Sequence, residues 1–173
     1  QRFNGQGSIT AEGLRQATEM GWLARLAHAL DGQAGYQLSL QIAGNQTELS
    51  IQSSLQGLRS QLPYPLAKPA DQAMPLRYST LLEPDRLRRP GLAPRDTLRL
   101  DMGDALHIRF HREHAEDGQT RVISGGIGLF EPAPSNETGV SLLATLPQVD
   151  VDHWQRAIMD ILVGPDSGVL PRW

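Results

Sequence analysis

Residues 36–55, YQLSLQIAGNQTELSIQSSL, decide the fold class. Tyr36, Leu38, Leu40 and Ile42 alternate with Gln37, Ser39 and Gln41. After Ala43-Gly44-Asn45-Gln46 the alternation resumes, with Leu49, Ile51 and Leu55 against Ser50, Gln52 and Ser54. A side-chain period of two belongs to an extended strand with one apolar and one polar face. Two such runs around a Gly-Asn turn predict an antiparallel hairpin with one wet side.

The same pattern recurs downstream. Leu98, Leu100 and Met102 alternate with Arg99 and Asp101, Gly103 turns the chain, and Leu106, Ile108 and Phe110 alternate with His107, Arg109 and His111. Asp117-Gly118 is a hairpin signal leading into Val122 to Phe130, and Val140, Leu142, Ala144 and Leu146 follow Gly139. Together these predict an antiparallel meander. Two helices are expected beside it. One runs from Asp150 as N-cap along the stripe Trp154, Ala157, Ile158, Ile161 and Leu162 to Gly164-Pro165; the other runs from about Thr10 to Ala29, with Gly21 splitting or bending it. Trp154 reads as a core anchor on its stripe. Each helix follows a short Gly-led strand, residues 5–9 and 139–146. Residues 59–96 are rich in proline (Pro63, Pro65, Pro69, Pro75, Pro84, Pro90, Pro94) and predict an extended connection crossing the sheet, with an edge strand near Leu76–Leu82.

Composition is consistent with this. At 173 residues and 39% hydrophobic, the chain is long enough for one ordinary folded domain. Its 17 glycines and 12 prolines favour many strands and turns over long helices. No apolar run reaches the roughly 18–20 residues of a membrane helix, so no membrane span is expected here. The chain begins with Gln1 and reads as an excised segment or a processed chain. The lack of cysteine excludes disulfides, thiol catalysis and cysteine-ligated zinc.

The residues that suggest chemistry have ordinary readings. His107 and His111 stand four residues apart on a strand, about 13 Å, too far to share one ion, and His114 falls past the predicted strand end. No metal site and no cofactor is expected. Arg86, Arg88, Arg89, Arg95, Arg99, Arg109 and Arg112 are interspersed with Asp85, Asp96, Asp101 and Asp104. The net charge is −3 and no aromatics are interleaved for base stacking, so no nucleic-acid partner is expected. Gly125-Gly126-Ile127-Gly128 precedes neither a GK[ST] nor a helix and marks a bulge or a close backbone approach. Asn45-Gln46-Thr47 fits a glycosylation sequon, a weak pattern. No nucleophile or paired-carboxylate signature is visible, and the chain reads as non-enzymatic.

The stretch Leu49-Ser50-Ile51-Gln52-Ser53-Ser54-Leu55-Gln56-Gly57-Leu58, then Leu62-Pro63-Tyr64-Pro65-Leu66-Ala67-Lys68-Pro69-Ala70 and Pro75-Leu76, resembles the YhdP family of AsmA-like proteins. Gly125 to Leu129, Gly139 to Leu146 and Val149 to Trp154 also look like segments of that family, with Ala144 in place of an expected glycine. The resemblance covers roughly residues 30–160. It implies a section, residues 1–173, of a periplasmic body anchored in the inner membrane, which carries phospholipid toward the outer membrane. It also implies a mostly-β fold with two helices, in which a curved antiparallel sheet forms an apolar-lined groove partly covered by the helices. The implied partners are phospholipid acyl chains and neighbouring segments of the same parent chain. Lys68 matches the family's lysine, with a headgroup contact, a structural role and a solvated role all open.

Candidate lining positions are Leu38, Leu40, Ile42, Leu49, Ile51, Leu98, Leu100, Leu106, Ile108 and Phe110. The same residues read equally well as ordinary core beneath the helices. The rival function is a structural or interaction module whose closed core leaves only its edges to pair with neighbouring segments.

Overall fold

The computed structural model describes residues 1–17, 22–84 and 89–160. The fold is mostly β, an open, curved and largely antiparallel sheet with short helices. Nine strands are present among the described residues: β1 (Arg2–Thr10), β2 (Leu30–Ala43), β3 (Gln46–Ser53), β4 (Leu58–Ser60), β5 (Leu76–Leu82), β6 (Arg95–Met102), β7 (Leu106–His114), β8 (Thr120–Leu129) and β9 (Gly139–Ala144). Their order is β1-β2-β3-β5-β6-β7-β8-β9, with β4 paired to β2. Gly44, at φ 58, makes the β2–β3 turn that the Gly-Asn pair predicts.

The chain divides into two compact units. The larger comprises residues 1–7, 35–54 and 74–146; the smaller comprises 8–34, 55–73 and 147–173. All three described helices fall in the smaller unit: α1 (Ala11–Gln16), α2 (Trp22–Leu26) and α3 (Val151–Ile158). Thr10 caps α1, its Oγ1 accepting from the Gly13 N–H at 2.9 Å. The helix expected over residues 10–29 is interrupted after Gln16, and its last turn, Ala27–Ala29, is 3-10; Gly21 lies outside the described residues. Asp150 caps α3 as expected, its Oδ1 accepting from the His153 N–H at 2.9 Å. The stop at Gly164-Pro165 lies outside the described residues, as do Ile161 and Leu162.

Three expectations need correction. Leu76–Leu82 is no edge strand: β5 pairs with β3 on one side and β6 on the other. The prolines that argue against a central strand flank residues 76–82 without entering them, so every N–H of β5 is free to join a ladder. For the same reason residues 59–96 do not form one long crossing connection. The meander also fails at its last step, because β9 pairs with β8 in parallel.

That parallel pairing requires the chain to return to the level of Ser124, midway along β8, within residues 130–138, a short path for a parallel connection. The return segment runs tightly against the β8 backbone. A Cβ on Gly128 would stand 2.0 Å from the Glu131 carbonyl oxygen, and one on Gly126 would stand 2.2 Å from that of Pro134. The Gly-rich run is therefore a close backbone approach, one of the two readings its sequence offered.

Candidate functional site

Strand register assembles the alternating residues into continuous rows. One row crosses seven strands of the larger unit: Leu38, Ile51, Tyr78, Leu100, Ile108, Ile127 and Leu142. At ~4.8 Å per strand it extends about 29 Å along the sheet. Beside it, Leu40, Leu49, Thr80, Leu98, Phe110, Gly125 and Val140 form a second row, and Leu76, Met102, Leu106, Leu129 and Ala144 a third. The intervening residues, among them Gln37, Gln52, Arg77, Asp101 and His107, make the opposite face polar.

The ten lining candidates thus share one face. Leu38, Leu40, Leu49, Ile51, Leu98, Leu100, Ile108 and Phe110 are half-buried, Leu106 is buried, and Ile42 is exposed at the end of the β2–β3 pairing. Sequence reasoning left out Tyr78, Ile127, Val140 and Leu142. Each sits in a strand with the right parity, but only the pairing of β5 with β3 and β6, and of β9 with β8, brings them into the rows.

Burial differs sharply between the two units. The buried apolar residues of the smaller unit are Ala11, Leu14, Ala24, Ala27, Ala34, Leu55, Leu58, Leu62 and Leu66. In the larger unit only Ala105 and Leu106 reach that level among the described residues. The small unit has a closed core. The large sheet's apolar face has none of comparable depth, and at β9 Leu142 is 66% and Val140 50% exposed.

One end of this face is charged. Asp96, 5% exposed, accepts from Arg112 Nε at 2.8 Å and from its NH2 at 2.7 Å, and it lies 3.0 Å from His114 Nε2. Burial alone pushes the Asp96 carboxyl up. The hydrogen bonds and charges of Arg112 and His114 together outweigh it and hold the group below the usual carboxylate range.

The three histidines do not converge. His107 Nδ1 lies 2.6 Å from Asp101 Oδ1, His111 Nδ1 3.1 Å from Thr97 Oγ1, and His114 Nδ1 3.1 Å from Thr120 Oγ1. No cluster of three metal-capable side chains occurs among the described residues. His114 is the last residue of β7 rather than beyond it. Of the seven arginines singled out, Arg86 and Arg88 lie outside the described residues, Arg95 bonds Glu113 at 2.9 Å and Arg112 holds Asp96.

Trp154 is half-buried rather than a core anchor. Its Nε1–H donates to the Tyr64 carbonyl at 3.0 Å, and its neighbours Val151 to His153 are exposed. Lys68 is not a solvated side chain. It is 5% exposed, and its Nζ donates to the carbonyls of Leu58 and Pro69, tying the proline-rich loop to β4. Burial lowers its pKa below 10.5, against a smaller upward pull from Asp71. Lys68→Met leaves two carbonyls without this donor and lowers stability by about 2 kcal/mol, measured by urea unfolding. Between the folded and unfolded lysine pKa values the unfolded chain binds more protons, so this group makes wild-type stability rise with pH as 10.5 is approached. The methionine variant lacks that rise. Equal stability and equal alkaline slope in both proteins would count against the carbonyl-tying role.

The profile of the YhdP family, described as YhdP protein, matches residues 1–171. The chain belongs to the YhdP family. That family is a bacterial envelope family, and membership points toward lipid transport. No curated protein and no solved structure matches it. Among the described residues of this YhdP-family chain, no helix is long and apolar enough to cross a membrane.

Proposed function

We propose that the chain is a non-catalytic segment of a periplasmic, inner-membrane-anchored protein that carries phospholipid toward the outer membrane, with acyl chains lying on the apolar face of the large sheet. The observation that carries the reading is the contrast in burial among the described residues: nine buried apolar residues in the smaller unit against two in the larger, whose apolar rows span up to seven strands. An apolar sheet face whose described residues stay mostly half-buried or exposed calls for an apolar occupant. Acyl chains fit because each methylene removed from water contributes about 0.8 kcal/mol and needs no directional partner. A row tens of ångströms long offers equivalent positions to a sliding chain. Neighbouring segments of the parent chain are the proposed partners at the sheet edges.

The test is extraction of the purified chain with organic solvent and mass spectrometry of the extract, beside an unrelated β-protein. Stoichiometric phospholipid is the expected result. Ile108→Asp and Leu40→Asp each place a carboxylate among the rows and abolish the bound lipid, with circular dichroism unchanged. Loss of folding in both variants would instead identify these residues as obligatory core. Their retention of lipid would end the acyl-chain reading.

A further inference from the structure

The opposite, polar face is not uniform. On β6 and β7 it carries Arg99, Asp101, His107 and Arg109. Toward β1 the charge thins out. Between Gln33 and Gly57 the one charged residue is Glu48, near the β2–β3 turn, and residues 3–11 carry none. An ordinary solvated face interleaves both signs of charge. This strip holds amides and hydroxyls instead.

Register gathers those groups. Gln37 stands opposite Gln52 and Ser39 opposite Ser50, so each pair of Cβ atoms is roughly 4.5–5.5 Å apart on one side of the sheet. On the other flank, the Gln1 ammonium donates to the Ile42 carbonyl at 2.6 Å, and the Gln1 carbonyl accepts from the Ile42 N–H at 2.7 Å. That exchange belongs to an antiparallel register, which brings Asn4 beside Ser39 and Gln6 beside Gln37. These six side chains line one open cavity of about 580 Å³, with Gly5 and Leu38 between them along their strands. None of the six bonds another protein group among the described residues. No charged side chain lines the cavity: Arg77, opposite Gln52 on β5, and Arg2, bonded to Gln41 at 2.8 Å, flank it without entering the lining.

We infer that this cavity is a binding site for an uncharged polyhydroxy ligand, a neutral sugar. Its volume falls within the roughly 300–1,000 Å³ of small-molecule sites, yet such sites are mostly apolar. Here the lining is amide and hydroxyl, so the occupant has to hydrogen-bond over most of its surface. A carboxamide sets an acceptor beside donors, the pattern that two neighbouring hydroxyl groups of a sugar complete, and a serine hydroxyl bonds in either sense. An ion entering the cavity would give up hydration without meeting a countercharge, which favours neutral ligands. No aromatic ring lines it, so nothing is offered for stacking a nucleobase. The inference does not depend on acyl-chain binding, since strand parity puts Gln37, Ser39, Ser50 and Gln52 on the other face from the apolar rows.

The experiment follows the side-chain NH2 signals of Asn4, Gln6, Gln37 and Gln52 by NMR while the full chain is titrated separately with maltotriose, cellotriose, mannotriose and the chitin trisaccharide. Saturable shifts at all four residues with at least one of these neutral sugars are expected, while Gln119, exposed before β8, stays unchanged. Gln37→Leu and Gln52→Leu each weaken that binding about tenfold. Both leave the circular dichroism as it was, because the two glutamines are exposed. Absence of shifts with all four sugars overturns the site, as do equal shifts at Gln119 or unchanged affinity in both variants. Shifts that follow protein concentration without sugar assign this face to a second copy of the chain and overturn it as well.

Discussion

Arg112→Met lowers the stability of the chain by about 3 kcal/mol, read as a fall in the urea midpoint with an unchanged slope. The magnitude comes from what the substitution leaves behind. Methionine fills much of the arginine's volume, but Asp96 loses both hydrogen bonds of the guanidinium fork and keeps only His114. A carboxylate that is 5% exposed then carries its desolvation cost almost alone. The pH dependence follows with a definite sign. In the wild type the folded carboxyl titrates below its ordinary 3.8. Its contribution is therefore fully present above that value and is lost as the pH falls through the folded pKa. In Arg112→Met burial dominates, the folded pKa rises above the unfolded one, and acid no longer removes a stabilising charge. Arg112→Met with Asp96→Asn is less destabilised than the sum of the two changes, since no charge stays buried. A single variant within 1 kcal/mol of wild type, with the same acid profile, would show that the pair contributes little.

Gly128→Ala costs about 2–3 kcal/mol, and the damage is confined to one margin of the sheet. Nothing about the Gly128 backbone demands glycine, because its φ is not positive; the obstacle is space. The new methyl group would stand 2.0 Å from the Glu131 oxygen and 2.7 Å from that of Pro132, both of them backbone atoms. The return segment must lift away, and β9, held to β8 by a parallel ladder, loses its approach. Hydrogen exchange is the informative measurement. Protection falls in residues 139–144 while β5 to β7 keep theirs. Gly5→Ala, with nothing within 4 Å and no positive φ, is the neutral control. Uniform loss of protection across all strands would contradict a local role.

How far the sequence reads the structure depends on how local each cause is. The β2–β3 and β6–β7 hairpins are written in adjacent residues, by alternation on both arms and a turn between them, and they form as expected. The cap at Asp150 is equally local. The place of β5 is not: Leu76-Arg77-Tyr78-Ser79-Thr80-Leu81-Leu82 alternates poorly, and its two neighbours in the sheet arrive from opposite sides of a proline-rich stretch. The parallel β9 depends on a non-local event, the passage of residues 131–134 over two glycines. The glycines signal a close approach without naming what approaches. Among the candidate residues, parity along a strand picks Leu98 and Ile108 correctly as face-mates, but their membership in rows that also include Ile127 and Leu142 needs the full strand order. Asp96 and Arg112 look like surface charges in sequence, and only their register sets a half-buried guanidinium against a buried carboxylate.

Strands β1 and β9 stand at the two ends of the order and do not close on each other. Each interior strand is satisfied by its two immediate neighbours, and its rung is indifferent to how many more lie beyond. A surface built this way has no fixed size. Duplication of a hairpin at either end lengthens the path without disturbing any residue in the middle, whereas a change of side chain within a row alters the path's chemistry without altering its length. Evolution can therefore adjust how far such a surface reaches and what it prefers to hold by separate, independent mutations.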